Sequence, residues 1–451
     1  MKRVHSVCLG RTMIAVLASA MAVTLFASFA RAEQRDPDLP ALVRVVLNQV
    51  NRLIEQADYA QAVQRLTEFQ ARGGPAPAVD DTSPCAYHHP MIYLALGSCL
   101  LYQERYTEAE TALTRASRQM PERTAVWLNL AKACYEQGKN IQAATHFAEA
   151  YDRAEENNPE HLYYCAAAYL MAQKYKEAIA AFERLLGNHP DQIKPAWRAH
   201  WVSALLSDGQ ARRALPHIRM LIDVYDGEER IRWQEILLYQ YIQLNMHTQA
   251  RNYAHTLTRE APTVARWWKL SGQIELNDGH YETALAALTI YGYLTPLSRE
   301  EQRLWADLSL QLGIPVQAAP VYEQMLAAEP NPAILKNLVA AYRRLGRSEA
   351  ALARLEKYAG TQGDPELTML KADLLYDLKR YEAASAAYLQ AARAEHRRTG
   401  QAWLMAGYAA WQAEDIDTSR RAFEHAAEFK PQRRSALLAM RQLSKTKRSL
   451  Q

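Results

Sequence analysis

A small residue returns along this chain with a period close to 34 residues, and that period limits the fold more than any other feature. It stands at Ala62, Ala109, Ala143, Ala178, Ala214, Ala250, Ala284, Ala318, Ala351 and Ala384, with Ser419 in the last place. From Ala109 onward the steps are 34, 35, 36, 36, 34, 34, 33, 33 and 35 residues. So steady a period marks a stack of like supersecondary units, each too small to bury its own apolar side and each completed by its neighbour.

Other residue types travel with the alanine. Tyr59, Tyr106, Tyr175, Tyr281 and Tyr381 stand three residues before it, and Gly138, Gly209, Gly279, Gly313 and Gly346 stand five before it. A large residue follows four later, as Leu66, Leu113, Phe147, Phe182, Ile218, Leu288, Tyr322, Leu355, Tyr388 and Phe423. Proline follows twelve later at Pro121, Pro190, Pro262, Pro296, Pro330 and Pro431. Trp127, Trp268 and Trp403 stand sixteen before it. These offsets describe two antiparallel helices, A and B. The glycine suits the turn between them, because a residue without Cβ adopts a left-handed backbone at little cost. The alanine lets B approach A closely, and the large residue lies one turn further along the same face. The proline stops B and suits the entry to the next A.

At these positions the sequence resembles the tetratricopeptide repeat over about residues 41–431. The resemblance implies an all-α fold, a right-handed superhelical solenoid of about ten to eleven helix-turn-helix repeats. Residues 33–72 read as an N-terminal helical hairpin, 73–89 as a Gly/Pro-rich loop, 90–431 as the repeat array, and 432–451 as a capping helix with a basic tail. The pattern weakens at Asn140, where an aromatic is expected. It weakens again at Ser419 and Glu414, which replace the last alanine and its turn glycine.

Residues 1–32 read as a cleaved signal peptide. Lys2, Arg3 and Arg11 precede a long apolar run, and Ala30-Arg31-Ala32 offers the cleavage site. The expected location is therefore the periplasm. The chain has 53 basic and 49 acidic residues, and without the four arginines and lysines of that leader the counts are 49 and 49. A neutral exported chain gives no reason to expect nucleic acid as a partner. Cys85, Cys99, Cys134 and Cys165 follow the leader. In an oxidising compartment they form one or two disulfides, with Cys85–Cys99 the pairing that would pin the 73–89 loop, or they are buried thiols acting as small hydrophobes.

Enzymatic signatures are missing from the sequence. There is no GxG fingerprint, GxSxG elbow, P-loop, HExxH or CxxC. Cys85, His88 and His89 lie close together but lack a fourth ligand in sequence, and the other histidines are scattered singly. No enzyme, cofactor or metal is expected.

Function is expected on the A helices. The resemblance places ligand contacts at the second, fifth, ninth, twelfth and thirteenth residues of each repeat. Across the three repeats from Pro90 to Pro190 this gives an apolar and aromatic wall: Met91, Leu94, Leu101, Tyr102, Leu128, Lys132, Tyr135, Tyr163, Leu170 and Met171, with Tyr164 adjoining. Arg232, Glu235, Arg266, Lys269, Arg303 and Asp307 make the next stretch charged, and Met369, Tyr376, Leu404, Tyr408 and Trp411 make the last aromatic again. Such a wall suits a protein segment. The basic stretch after Glu428 suits an anionic lipid surface, an acidic partner, or a solvated cap. The layout of leader and array is similar to the periplasmic repeat proteins that accompany TonB–ExbB–ExbD energy-transduction systems. It implies a scaffold or adaptor for proteins of the cell envelope. The rival is a scaffold for outer-membrane assembly or polysaccharide export.

Overall fold

Each turn of the sequence period is a pair of helices. The computed structural model describes residues 39–75, 85–358, 364–394 and 396–449. The expected leader and residues 76–84 of the expected loop lie outside the described residues. Twenty-three α-helices and no strand occur among the described residues. In the first unit, residues 1–244, they are α1 (Ala41–Glu55), α2 (Tyr59–Ala71), α3 (Pro90–Tyr102), α4 (Tyr106–Gln119), α5 (Thr124–Glu136), α6 (Asn140–Asp152), α7 (Pro159–Met171), α8 (Tyr175–Asn188), α9 (Pro195–Ser207), α10 (Ala211–Val224) and α11 (Gly227–Gln243). In the second, residues 245–451, they are α12 (His247–Glu260), α13 (Ala265–Asn277), α14 (Tyr281–Leu294), α15 (Arg299–Gln311), α16 (Pro315–Ala328), α17 (Pro332–Arg344), α18 (Ser348–Lys357), α19 (Pro365–Asp377), α20 (Tyr381–Arg393), α21 (Thr399–Gln412), α22 (Ile416–Glu428) and α23 (Arg433–Ser449). Odd numbers through α21 are A helices and even numbers through α22 are B helices. Within each unit every helix packs on the next. The result is an all-α repeat solenoid.

The ends follow from local chemistry. Pro90, Pro159, Pro195, Pro315, Pro332 and Pro365 each open a helix, where the missing N–H would have had no helical partner. Asn158, Asn331 and Asp364 accept first-turn N–H groups, and Ser298 with Glu301 forms a reciprocal cap on α15. The turn five residues before the period alanine is left-handed in every pair. Gly138, Gly209, Gly279, Gly313 and Gly346 supply it as expected. Elsewhere Ala57, Glu104, Gln173, Asn245, Lys379 and Glu414 adopt the same positive φ, at a cost of about 1–2 kcal/mol each, because the helices on either side dictate the turn.

The period alanines are deeply buried. From Ala62 to Ala384 none exceeds 2% exposure, and Ser419 is at 0%. Ser419 keeps its hydroxyl satisfied by donating to the Gly407 carbonyl at 2.9 Å. The large residues four later, among them Leu66, Leu113, Ile218, Leu355 and Phe423, are likewise sealed. Trp127 and Trp268 show why a tryptophan recurs sixteen before the alanine. Each donates its indole N–H to the carbonyl of the preceding repeat's proline, Pro121 at 2.7 Å and Pro262 at 2.8 Å.

The Cys85–Cys99 bridge is not formed, and all four thiols are free. Cys99 lies nine residues into α3, about 14 Å along its axis from Pro90. Cys85 precedes a single 3-10 turn, Ala86–His88, that leads into the first residue of that helix. Cys99, Cys134 and Cys165 are buried, and burial pushes the first up to about 12, the second to about 11 and the third to about 12. They act as small hydrophobes.

Candidate binding surface

The A helices of the first unit carry the expected wall, and the structure divides it in two. Met91, Leu94, Leu101, Tyr163, Tyr164 and Leu170 are buried. They hold neighbouring helices together. Tyr163 lies flat on Trp197 with ring centroids 4.8 Å apart, and its hydroxyl pairs with Nδ1 of His200 at 2.9 Å. Tyr164 packs on Phe147 at 5.5 Å. Tyr102, Leu128, Lys132, Tyr135 and Met171 are only half-buried. They are the part of the wall that a ligand would reach.

This accessible set comes from three successive A helices: Tyr102 from α3, Leu128, Lys132 and Tyr135 from α5, and Met171 from α7. Tyr102 stacks on Tyr59 at 4.6 Å, and the Lys132 ammonium lies 5.7 Å from the Tyr102 ring centre. Desolvation moves the Lys132 ammonium down, partly countered by Glu136. Burial pushes the Tyr102 hydroxyl up to about 12, with Tyr59 and Cys99 adding to it, and burial raises Tyr135 as well. The surface therefore offers apolar area, two neutral hydroxyls and one cation. It has no nucleophile with a base beside it and no pair of carboxylates, so it can bind but does not hold the parts of a reaction.

The charged middle stretch is largely occupied internally. Lys269 pairs with Glu301 at 2.7 Å. Asp307 accepts from Tyr322 at 2.6 Å and from Asn337 at 2.9 Å, with Arg303 at 3.7 Å. On the aromatic stretch near the last repeat, Met369 is buried, and Leu404, Tyr408 and Trp411 pack against the cluster formed by Phe423, Ala426, Ala436 and Ala439. Stitching between repeats is their role.

Sequence reasoning missed a polar knot in the second unit. Glu275, 3% exposed, accepts from Nε2 of His255 at 2.9 Å and from Nδ1 of His280 at 2.8 Å, with Arg251 3.6 Å away. Arg251 also pairs with Asp278, which faces His247 at 3.2 Å; the Arg251 bond holds the Asp278 carboxyl below its ordinary range. The signal was present in the period. Glu275 stands nine before Ala284, where other repeats place Leu53, Leu100, Cys134, Tyr169, Leu205, Tyr241, Ser309, Tyr342, Leu375 and Ala410. An open cleft of about 500 Å³ adjoins His255, lined also by Asn252, Thr256, Thr258, Arg259 and Trp268. Among the described residues no three His, Cys, Asp or Glu side chains are arranged to hold a metal ion.

Comparison with a family model agrees with the repeat over part of the chain. A tetratricopeptide-repeat family model matches residues 94–159, 137–193 and 369–434. Those stretches match the tetratricopeptide repeat. Solved structures that resemble the chain include a Naa15/Naa10 complex bound to HypK-THB, at 14% identity and a TM-score of 0.39 over 85% of this chain and 68% of that one. A tetratricopeptide repeat protein from Parabacteroides merdae matches at 15% identity and 0.31, over 67% of this chain and 99% of that one. Yeast Tom70 matches at 14% and 0.30, over 90% and 96%. No curated protein matches.

Proposed function

We propose that this chain is a non-catalytic scaffold that captures a segment of another protein on the A helices of its first unit. The observation that carries the reading is the half-exposed set Tyr102, Leu128, Lys132, Tyr135 and Met171, contributed by three successive A helices. Its tyrosines give large area at low conformational cost, and Met171 adapts to an irregular ligand. The order of basic residues, apolar run and Ala30-Arg31-Ala32 supports export. On that reading the scaffold works in the periplasm and serves proteins of the envelope, with a TonB–ExbB–ExbD-type energy-transduction system as the assembly it assists.

A photo-crosslinking residue in place of Tyr135, compared in intact cells with one at Ile141, tests this. Ile141 is 48% exposed on the B helix α6 of the same repeat. The expected result is one dominant adduct at position 135, containing a motor subunit or its client, and none at 141. Equal adducts, or none at 135, would remove the site from this wall.

A further inference from the structure

The last helix, α23, has two unlike sides. Ala436, Ala439 and Leu443 are buried, and the helix packs there on α22 and α21. Arg434, Leu437, Leu438 and Arg441 are all exposed, with Leu437 at 44% and Leu438 at 51%. At about 100° per residue, these four fall within roughly a third of the helix circumference, opposite the buried strip. Lys445 and Arg448 continue the same register, eleven and fourteen residues after Arg434.

The charge of this region is one-sided. From Lys430 to Gln451 there are seven basic residues and no acid. Several cations of the array are paired from repeat to repeat: Arg184 with Asp152, Arg213 with Glu183, Arg354 with Glu323, Arg380 with Glu349. Neither Arg434 nor Arg441 has a carboxylate partner among the described residues. Two adjacent leucines thus sit in water between two arginines that the fold leaves for something else.

We infer that the exposed side of α23 docks in the plane of an anionic lipid bilayer. Such a surface satisfies both halves of the strip at once. The guanidinium groups of Arg434 and Arg441 reach lipid phosphates, while Leu437 and Leu438 enter the acyl boundary. An acidic protein surface would meet the cations but give the leucines no apolar contact. Among the described residues no helix is long and apolar enough to cross a membrane.

The test is flotation of the full chain with phosphatidylcholine vesicles, alone or with a third of the lipid replaced by phosphatidylglycerol. Binding to the anionic vesicles only, released by high salt, is expected. Arg434→Glu with Arg441→Glu, and separately Leu437→Ser with Leu438→Ser, should each weaken partitioning at least tenfold with the helical circular-dichroism signal unchanged. All four side chains point away from the core, so the variants keep the fold. No binding, equal binding to neutral vesicles, or a leucine variant that floats like the parent would overturn the inference. So would capture on polyglutamate beads insensitive to the leucines but equal in strength to vesicle binding, which would point to an acidic protein instead.

Discussion

Three glycines occupy one place in the repeat, twelve residues before the period residue, yet alanine at that place should have opposite effects. They are Gly97, Gly272 and Gly407, all inside A helices. In a helix interior, glycine to alanine gains about 1 kcal/mol from backbone entropy alone. At Gly272 an added Cβ would lie 3.6 Å from the Ala284 carbonyl oxygen and from the Ala287 Cβ, an ordinary contact. Gly272→Ala should therefore stabilise by about 0.5–1 kcal/mol. At Gly407 the same atom would lie 2.5 Å from Cδ1 and Cε1 of Phe423, which is at 0% exposure and has nowhere to rotate. Relief requires a shift of more than about 1 Å, and overpacking of this kind costs about 1–3 kcal/mol. Gly407→Ala should lose roughly 1–2 kcal/mol net. A long array does not unfold as one two-state body, so the measurement is local: hydrogen exchange of the α13–α14 amides for one variant and the α21–α22 amides for the other. At about 1.4 kcal/mol per tenfold, exchange should slow about threefold around Gly272→Ala and speed up about 5- to 30-fold around Gly407→Ala. Changes of the same sign at both sites would refute the close-packing account of the A–B interface.

Acid should loosen the first unit through α7 and α9. Burial lowers His161 and His200 to about 4, so both are neutral when folded and bind protons more readily when unfolded. Stability then falls as pH drops from about 6.5 toward 4, by roughly 2 kcal/mol for each at pH 5. Hydrogen exchange of the α7 and α9 amides at pH 7 and pH 5, corrected for the intrinsic pH dependence of exchange, should show it, and His200→Gln, which keeps an acceptor for Tyr163, should roughly halve the change. Removing Glu275 should destabilise unevenly. Both Glu275→Ala and Glu275→Leu take the acceptor from His255 and His280, while Arg251 keeps Asp278; the alanine also leaves a cavity, so it should lose about 3 kcal/mol and the leucine, which fills the space as in other repeats, about 1–2 kcal/mol less. Hydrogen exchange of the α12 and α13 amides separates the two.

The array was legible because its rules repeat. Ala109, Leu113 and Pro121 mean little once, but a small and a large residue at the same offset ten times over, with the proline in six repeats, leave one arrangement that buries every period alanine. Two things were harder to read. The left-handed turn at Gln173, Lys379 and Glu414 carries no glycine, since helix packing imposes a conformation that local propensity resists. The wall was over-read as well. Tyr163 and Leu170 satisfy the expected contact positions by number, but neighbouring A helices approach closely enough to cover them. Only the side chains displaced from that seam, such as Tyr135 and Leu128, stay accessible. A linear pattern gives the register of a side chain and not the distance to the next helix. The division at Leu244 has no mark in the period either, since the step from Ala214 to Ala250 is an ordinary 36 residues.

The most direct measurement is the affinity of the purified chain for the partner recovered at position 135, for the parent, for Leu128→Ala with Tyr135→Ala, and for Ile141→Ala. Truncating two anchors of the wall should weaken binding by at least tenfold with helicity retained, and Ile141→Ala should leave it unchanged. A double variant that binds like the parent would contradict the assignment of the A-helix wall as the working face of the molecule.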